Sequence, residues 1–374
     1  MTRILVLNCG SSSVKYRLYD DTTVLERGRI ERIGERGGGP PDHESALREV
    51  TARLDLRGLA AVGHRVVHGG VRFAEPTLID DDVVAAITEL VPLAPLHNPP
   101  NLAGIAVARR LLPDVPQVAV FDTAFHRTMP TAAAIYAIDA GVAQEQGIRR
   151  YGFHGTSHAF VSRRTAELLG RPYEEINTIT LHLGNGASAC AVAGGRSIAT
   201  SMGMTPLEGL VMGTRSGDLD PAVVFHLNRH AGMSVGEIDH LLNHRSGLLG
   251  LCGANDMREV LRRRKAEDPA AELAFDTYCW RIRSYIGAYY AQLGRVDAIT
   301  FTGGVGEHAG PVRAAALAGL ERLGITVDAT RNQGSGDRLI SPPDAEVAVC
   351  VIATDEELEI ALQARAVAER VTRR

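Results

Sequence analysis

Residues 4–20, ILVLNCGSSSVKYRLYD, decide the fold of this chain. An apolar strand runs into Asn8, and a turn of small residues follows at Gly10–Ser13. Lys15 and apolar residues at alternating positions then continue the chain as a second strand. The segment presents backbone N–H groups, hydroxyls, an amide and an ammonium together, and this predicts a phosphate-binding turn. An ordinary hairpin with a polar turn is the alternative.

The turn differs from a P-loop. A P-loop has four residues between its glycines and a Gly-Lys-Ser/Thr ending that opens a helix. Here the alternation of Val14, Tyr16 and Leu18 continues as a strand. A phosphate turn between two antiparallel strands is typical of another kind of ATPase.

The bulk composition is that of a globular protein with more than one core. A chain of 374 residues predicts two domains. The formal net charge of -4 gives no footprint for nucleic acid or membrane. The five cysteines are scattered and form no CxxC pair, which indicates a reducing compartment. No apolar run approaches the roughly 20 residues of a membrane span, and no leader precedes the first strand, so we expect a cytoplasmic protein.

A second strand-turn-strand segment, TITLHLGNGASACAVAGGR, begins at Thr178. Placing Gly186 opposite Gly10 puts Ser188 opposite Ser12, which suggests a duplicated fold that closes on a nucleotide from two sides. A third glycine turn, TGGVGEH, follows a strand at 298–301 and could receive a flat base. Its alternative is a plain strand-to-helix turn, because Gly-Pro starts a helix directly afterwards.

The remaining pattern alternates strands with helices, as in an α/β fold. Thr354 and Glu357 form a capping box for a terminal helix, which we expect to pack onto the first domain. A loop between hairpin strands is expected at Glu35–Pro41. The other predicted elements are strands at Leu59–His68 and Gln117–Phe121, and helices at Asp81–Leu90, at Asn101–Leu111 and from Asn255.

Nine motifs, in order from residue 4 to residue 361, together resemble the acetate kinase family. They are LNCGSSSVKY, GHRVVHGG, PLAPLHNPPN, FDTAFH, YGFHGTSH, LHLGNGAS, SMGMTPLEGLVMGTRSGDLDP, GGVGEH and TDEELEIA. The resemblance implies two duplicated ribonuclease H-like domains of the sugar kinase, heat-shock ATPase and actin superfamily, with a central nucleotide cleft. Domain I is then 1–128 plus the terminal helix 357–374, and domain II is 129–356, with much of a homodimer interface.

The resemblance also implies the reaction. Acetate kinases transfer the γ-phosphoryl group of ATP to acetate, reversibly and with Mg²⁺ or Mn²⁺, by direct in-line attack. The products are ADP and acetyl phosphate, which serves acetyl-CoA biosynthesis. A carboxylate is already ionised at pH 7 and needs no general base, so the obstacle is repulsion between anions. Arginine suits this task because its planar fork holds carboxylate or phosphoryl oxygens in pairs.

The family's functional positions map onto this sequence one by one. Asp122 ends an apolar strand and is expected to orient the arginines or the hydrated metal. Arg65 and Val67 are expected on one face of a strand, offering a guanidinium and an apolar wall to the acyl group. The catalytic positions are Arg65, Asp122, His154 and Arg215, and the acyl-binding positions are Arg65, Val67, Leu96, Phe153 and Pro206.

The nucleotide and metal positions follow in the same way. Family members usually have Asn where His308 and Asp355 stand. Mg²⁺ keeps several waters, so few protein ligands suffice. The metal positions are Asn8 and Glu356, and the nucleotide positions are Ser11, Ser13, Lys15, His182, Asn185, Gly186, Asp256, Met257, Arg258, Gly304, Val305, Gly306 and His308.

Three alternatives stay open at this stage. A propionate kinase would use the same residues around a roomier pocket, since one methylene changes discrimination by only about 1–3 kcal/mol. An actin-like or heat-shock ATPase would lack acyl kinase activity altogether. Zinc sites are a further possibility at the i, i+4 histidine pairs 154/158, 226/230 and 240/244, although none carries the H-E-x-x-H glutamate.

Overall fold

The computed structural model describes residues 2–35 and 38–372. Within these residues the chain forms twelve strands: β1 (Arg3–Cys9), β2 (Ser13–Asp20), β3 (Thr23–Glu31), β4 (Leu59–Val66), β5 (Thr77–Leu78), β6 (Gln117–Phe121), β7 (Asn177–Leu183), β8 (Ala187–Ala193), β9 (Arg196–Thr200), β10 (Ala298–Thr302), β11 (Arg338–Leu339) and β12 (Ala348–Val351).

The same residues form fourteen α-helices: α1 (His43–Arg53), α2 (Asp81–Glu89), α3 (Asn98–Leu111), α4 (Thr131–Ala134), α5 (Ala140–Glu145), α6 (Gly155–Leu169), α7 (Ala222–His230), α8 (Val235–His244), α9 (Gly247–Cys252), α10 (Met257–Lys265), α11 (Pro269–Leu293), α12 (Gly303–His308), α13 (Gly310–Leu317) and α14 (Glu356–Thr372). None of these helices has the length and apolar character that crossing a membrane requires.

The chain folds as two compact units, Met1–Arg127 with Asp355–Arg374, and Thr128–Thr354. Asp355 belongs to the first unit, where its carboxylate lies 2.8 Å from Arg17 of β2. Thr128 belongs to the second unit, where its hydroxyl donates to the Ser197 carbonyl at 2.9 Å.

The first unit is built on a sheet of order β3-β2-β1-β4-β6-β5. Strands β1, β4 and β6 run parallel, whereas β2, β3 and β5 are antiparallel to their neighbours. All five residues of β6 are buried, as expected for a central strand covered on both faces.

The second unit repeats this topology strand for strand. Its sheet has the order β9-β8-β7-β10-β12-β11, with β7, β10 and β12 parallel and the other three antiparallel to their neighbours. Even the irregularity between the second and third strands recurs, at Leu18/Tyr19 and at Ala191/Val192. The predicted α/β fold with two duplicated domains is therefore confirmed.

The terminal helix α14 packs on the first sheet, as predicted. Ile360, Ala361 and Ala364 are buried there against residues of β1, β4 and β6. The approach is close, since a Cβ at Gly63 of β4 would lie 2.8 Å from the Ile360 side chain. This helix returns Glu356, at its first position, to the first unit.

Strand β4 ends at Val66, two residues before the predicted end. The backbone N–H groups of Val67 and His68 donate to the side chains of Asn101 and Asn98, each at 3.1 Å. Side-chain amides of α3 thus replace the backbone hydrogen bonds of the sheet at these two residues. Val67 lies just after β4 and is not part of it. The prediction that Arg65 and Val67 share one strand face was wrong.

Two helix starts, one N-cap and one turn also differ from the sequence prediction. Helix α3 begins at Asn98 because two prolines fit its first turn, and α10 begins at Met257 because Asp256 is its N-cap. Asp355, not Thr354, caps α14, accepting from the Leu358 N–H at 3.0 Å, so the predicted capping box was wrong. The glycine turn TGGVGEH is mostly helix α12.

The loop predicted at Glu35–Pro41 connects a strand to a helix, β3 to α1, rather than two hairpin strands. Its residues 36 and 37 lie outside the described residues.

Candidate active site

Each unit carries a turn of three residues after its first strand: 10–12 between β1 and β2, and 184–186 between β7 and β8. Topology therefore equates Gly10 with Gly184. The sequence alignment of Gly10 with Gly186 was wrong by two positions, because Ser188 already lies within β8, paired with His182.

The second turn brings two predicted catalytic side chains together. A Cβ at Gly186 would lie 3.5 Å from Arg215 Nη1 and 3.5 Å from His154 Cε1. Both groups therefore lie within van der Waals reach of the turn. A guanidinium, an imidazole and the backbone of a glycine turn next to one another present donors suited to an anion.

His154 is held in an unusual backbone conformation. Its φ of 57° lies in the left-handed region, which costs a non-glycine residue free energy. Its Nδ1 pairs with the Ser188 hydroxyl at 2.9 Å, and its ring stacks on His182 with centroids 4.3 Å apart. Such strain is typical of functional positions, where the surrounding structure compensates for it.

Arg215 carries a positive charge that no carboxylate neutralises within residues 2–35 and 38–372. Its Nη1 donates to the Pro206 carbonyl at 3.1 Å and contacts Met212 Sδ at 3.7 Å. Burial lowers the pKa of this guanidinium below its ordinary value, yet an arginine remains protonated at neutral pH. A half-buried cation with neutral partners favours an incoming anion.

A cavity of about 410 Å³ opens beside the second turn. It unites residues of that turn, of the segment before α10 and of α12, so the two separate glycine motifs lie on one site. Seven of the predicted nucleotide residues line it: Asn185, Asp256, Met257, Arg258, Gly304, Val305 and His308. Its size and mixed lining suit a small organic ligand.

Asp256 and Arg258 form an ion pair at this cavity. Asp256 caps α10 by accepting from the Arg258 N–H at 2.8 Å, and Arg258 Nε donates back at 3.0 Å. The Arg258 side chain lowers the pKa of Asp256. Of the other predicted residues, Gly306 is buried within α12, and His182 Nδ1 pairs with the Ser157 hydroxyl at 2.7 Å.

In the first unit, Arg65 and Asp122 form a two-point ion pair. Arg65 Nε donates to Asp122 Oδ1 at 3.0 Å, and Nη2 donates to Oδ2 at 2.6 Å. Glu356 Oε2 lies 3.9 Å from Arg65 Nε. The Asp122 side chain is only 1% exposed, whereas those of Arg65 and Glu356 are about a quarter exposed, at 22% and 23%.

The charges of this cluster shift one another. Burial alone would lower the pKa of the Arg65 guanidinium, but the charges of Asp122 and Glu356 outweigh it and raise that pKa. Burial raises the pKa of Asp122, and the guanidinium of Arg65 opposes the increase. The arginine is therefore fixed in place as a cation.

The first turn presents its polar groups to solvent. The Gly10 N–H donates to the Ser13 carbonyl at 2.8 Å, which closes the turn. Ser11 and Lys15 are exposed, and Asn8 and Ser13 are half-buried. These groups of the first unit are therefore accessible to a ligand.

The predicted acyl-binding residues divide between the two units. In the first unit, Val67 is half-buried and Leu96 is 65% exposed. In the second, Phe153 is buried and Pro206 is half-buried. That they line one pocket stays a prediction.

The histidine pairs form no metal centre of three or more protein ligands in the described part of the chain. His158 instead pairs with Thr180 at 2.7 Å and with Ser188 at 2.8 Å, both in the β7–β8 hairpin. The exposed pairs on α7 and α8 are tilted ring contacts with centroids 4.9 and 5.0 Å apart.

Sequence reasoning missed the residues that support the site. Arg17 holds Asp355 at the start of α14, next to Glu356. Tyr136, Arg150 and Glu208 anchor the loop that carries Arg215. The only sequence signal was an acidic residue in a long segment without regular periodicity.

Two sheets of one topology, each with a polar turn after its first strand, define the actin-like class of ATPases and kinases, which are built from two ribonuclease H-like domains. The sequence model of the Acetokinase family matches residues 41–362. This chain belongs to the acetokinase family.

Named relatives cover nearly the whole chain. Acetate kinases of Streptomyces avermitilis and Streptomyces coelicolor are 61% and 62% identical to it, each over 97% of this chain and 96% of the relative. Two crystal structures, an acetate kinase from Porphyromonas gingivalis and a propionate kinase from Francisella tularensis, each superpose with a TM-score of 0.93 at 41% identity. Each comparison covers 98% of this chain and 100% of the other.

Replacing Asp355 with asparagine should lower the free energy of unfolding of the first unit by about 0.5–1 kcal/mol. Asparagine caps a helix as well as aspartate does, but it loses the ion pair with Arg17, whose side chain is 27% exposed. Hydrogen exchange of β1 and β2 measures the change. In an Arg17→Gln background the substitution should have no further effect, and an undiminished loss there would contradict the assignment.

Proposed function

We propose that this protein is an acetate kinase, which transfers the γ-phosphoryl group of ATP to acetate and gives acetyl phosphate and ADP in a reversible reaction. The observation that carries the proposal is the pair of groups at Gly186, where Arg215, a cation without a carboxylate partner among the described residues, lies beside His154. Membership of the acetokinase family supports the same conclusion.

Phosphoryl transfer to acetate requires positively charged groups in the site rather than a general base. Acetate is ionised at neutral pH and can attack phosphorus directly, in line with the leaving ADP. We assign Arg215 and His154 to the phosphoryl oxygens of the transition state, where donors that are already in position are worth most. Arg65 is assigned to the carboxylate of acetate, or to the phosphoryl group that approaches it.

Asp122 is assigned to positioning. Its two-point contact fixes the plane of the Arg65 guanidinium, so the arginine need not reorganise during the reaction. Because acetate carries no proton to remove at pH 7, a base at this position would have no task.

Asn8 and Glu356 are the proposed ligands for Mg²⁺, with Mn²⁺ as the alternative. The donor set fits, because an amide oxygen and a partly exposed carboxylate are hard oxygen ligands. When bound, the ion would supply positive charge to the phosphate oxygens of ATP.

We assign the 410 Å³ cavity to the adenosine of ATP, with contacts from Asp256, Met257 and Arg258 at the start of α10 and from Gly304, Val305 and His308 of α12. Gly306 belongs to the same segment. The proposed phosphate contacts are Ser11, Ser13 and Lys15, in the first turn and in β2 after it, and His182, Asn185 and Gly186, in β7 and in the second turn.

Incubating the protein with ATP, Mg²⁺, acetate and hydroxylamine should produce acetyl hydroxamate. Acetate should give a higher kcat/KM than propionate, and propionate a higher value than butyrate, by about 10- to 200-fold per methylene. A preference for propionate would replace the acetate assignment with a propionate kinase, and no hydroxamate with any acid would leave an ATPase of another kind. A reaction without protein is the control.

A homodimer and a cytoplasmic location complete the proposal, with acetyl phosphate feeding acetyl-CoA biosynthesis. The dimer is implied by the family resemblance of the nine motifs, and the location by the five scattered cysteines, which indicate a reducing compartment. Sedimentation velocity on the purified protein tests the dimer directly.

A further inference from the structure

The segment of residues 201–217, here called the arginine loop, carries Pro206 and Arg215 without forming a helix or a strand. Nine of its seventeen residues are buried. A buried segment without regular hydrogen bonding needs other partners for its backbone groups, and its position depends on them.

Three side chains, here called the loop clamp, supply such partners: Tyr136, Arg150 and Glu208. Arg150 Nη1 donates to the carbonyls of Thr200, Ser201 and Met202 at 3.0–3.2 Å. Its Nη2 donates to the Glu208 carboxylate. One guanidinium thus joins the start of the arginine loop to a point seven residues further on.

Tyr136 closes the clamp. Its hydroxyl donates to the other Glu208 oxygen and accepts from the Met204 N–H at 3.1 Å. The Arg150 guanidinium also lies over the Tyr136 ring, 5.5 Å from its centroid. A side chain at Gly203 would collide with both Glu208 and Tyr136, so the loop passes the clamp in contact with it.

The clamp holds the residues on both sides of Pro206, namely Met204 and Glu208. Pro206 in turn presents the carbonyl that accepts from Arg215 at 3.1 Å. Further along, Asp218 accepts from the Gly209 N–H and from the Tyr285 hydroxyl, each at 2.8 Å, which fixes the far end of the loop. The position of the Arg215 guanidinium therefore depends on the clamp, although no clamp residue touches it in the described contacts.

We propose that Tyr136, Arg150 and Glu208 are positioning residues for phosphoryl transfer, which set Pro206 at the acyl acceptor and the Arg215 guanidinium at the transferring phosphoryl group. This inference rests on the proposed function and adds to it a control of the acceptor side of the site. No residue of the loop clamp is among the residues that line the nucleotide cavity.

The test compares Glu208→Gln with wild type. Glutamine removes the negative charge and has a single acceptor oxygen, so it cannot accept from both Tyr136 and Arg150 as the carboxylate does. We expect the KM for acetate to rise and kcat to fall, each by about tenfold, while the KM for ATP changes by less than about twofold. Tyr136→Phe should move the same constants in the same direction to a smaller extent. Glu167→Gln, at an exposed ion pair with Arg164 in the same unit, is the matched control and should change neither.

A purely structural clamp would behave differently. A lower Tm with unchanged kinetic constants below that temperature would overturn the proposal, as would equal increases in both KM values. Hydrogen exchange provides a readout that does not need activity, and Glu208→Gln should increase exchange at amides 209–217. Unchanged exchange at these amides would overturn the proposal, whether or not the wild type is active. A wild type that makes no acetyl hydroxamate would contradict only the proposed function.

Discussion

Replacing Arg215 with alanine is expected to lower kcat by about 10³-fold or more, because it removes the cation assigned to the transferring phosphoryl group. Arg215→Lys should recover only part of this loss, since a lysine lacks the planar fork. The measurement is hydroxamate formation at saturating ATP and acetate. Arg229→Ala, which removes an exposed arginine of the same unit, is the control and should retain wild-type turnover.

The same substitution should leave stability unchanged or raise it. In the native state Arg215 is half-buried and bonded to neutral partners, the Pro206 carbonyl and Met212 sulfur. Its charge is desolvated without a carboxylate to compensate, so truncation removes a cost rather than an attraction. Thermal unfolding of the variant therefore separates function from folding. Near-normal kcat, or a large fall in Tm, would contradict the role given to Arg215.

The fold could be predicted from sequence because the alternation of buried and exposed residues that indicates a strand is visible within a few residues. Val14, Tyr16 and Leu18 alternate, and all three are buried in β2. The alignment of the two turns failed because it matched glycines by residue type alone. The true correspondence depends on the strand register, which is set by cross-strand pairs such as His182 with Ser188. The end of β4 was missed because Asn98 and Asn101, which are 30 and 34 residues away in sequence from their partners, accept from the backbone N–H groups that follow it.

Local sequence patterns predicted less of the candidate site than of the fold. The role of each residue came from the family resemblance, and the structure adds how they are held. That Asp122 pairs with Arg65, 57 residues earlier, follows from the parallel pairing of β4 with β6. The loop clamp has no periodic signature, because a single charged residue in an irregular segment looks the same whether it is buried or solvated.

Replacing Arg65 with alanine should reduce both catalysis and stability, unlike the change at Arg215. The kcat should fall by about 10²–10³-fold, since a donor to the reacting groups is lost. The free energy of unfolding of the first unit should also fall, by about 3–5 kcal/mol, because Asp122 remains buried without its partner. Hydrogen exchange in β4 and β6 reports on the stability of that unit, and the hydroxamate assay reports on the reaction.

The double variant Arg65→Ala/Asp122→Asn separates the two effects. Asparagine carries no charge, so most of the lost stability should return while kcat stays low, because the guanidinium is still absent. Recovery of kcat together with stability would show that Arg65 acts only through folding.

The pH dependence provides an independent check on the same pair. In Arg65→Ala the influences that remain on Asp122 are burial and the charge of Glu356, and both raise its pKa. A carboxyl group with a raised pKa in the folded state stabilises the fold below its unfolded pKa of about 3.9 and loses that contribution as the pH rises. The stability deficit of Arg65→Ala, measured against the double variant, should therefore shrink as the pH is lowered from 7 towards 5. A deficit that does not change with pH would mean that Asp122 is not the group left unpaired.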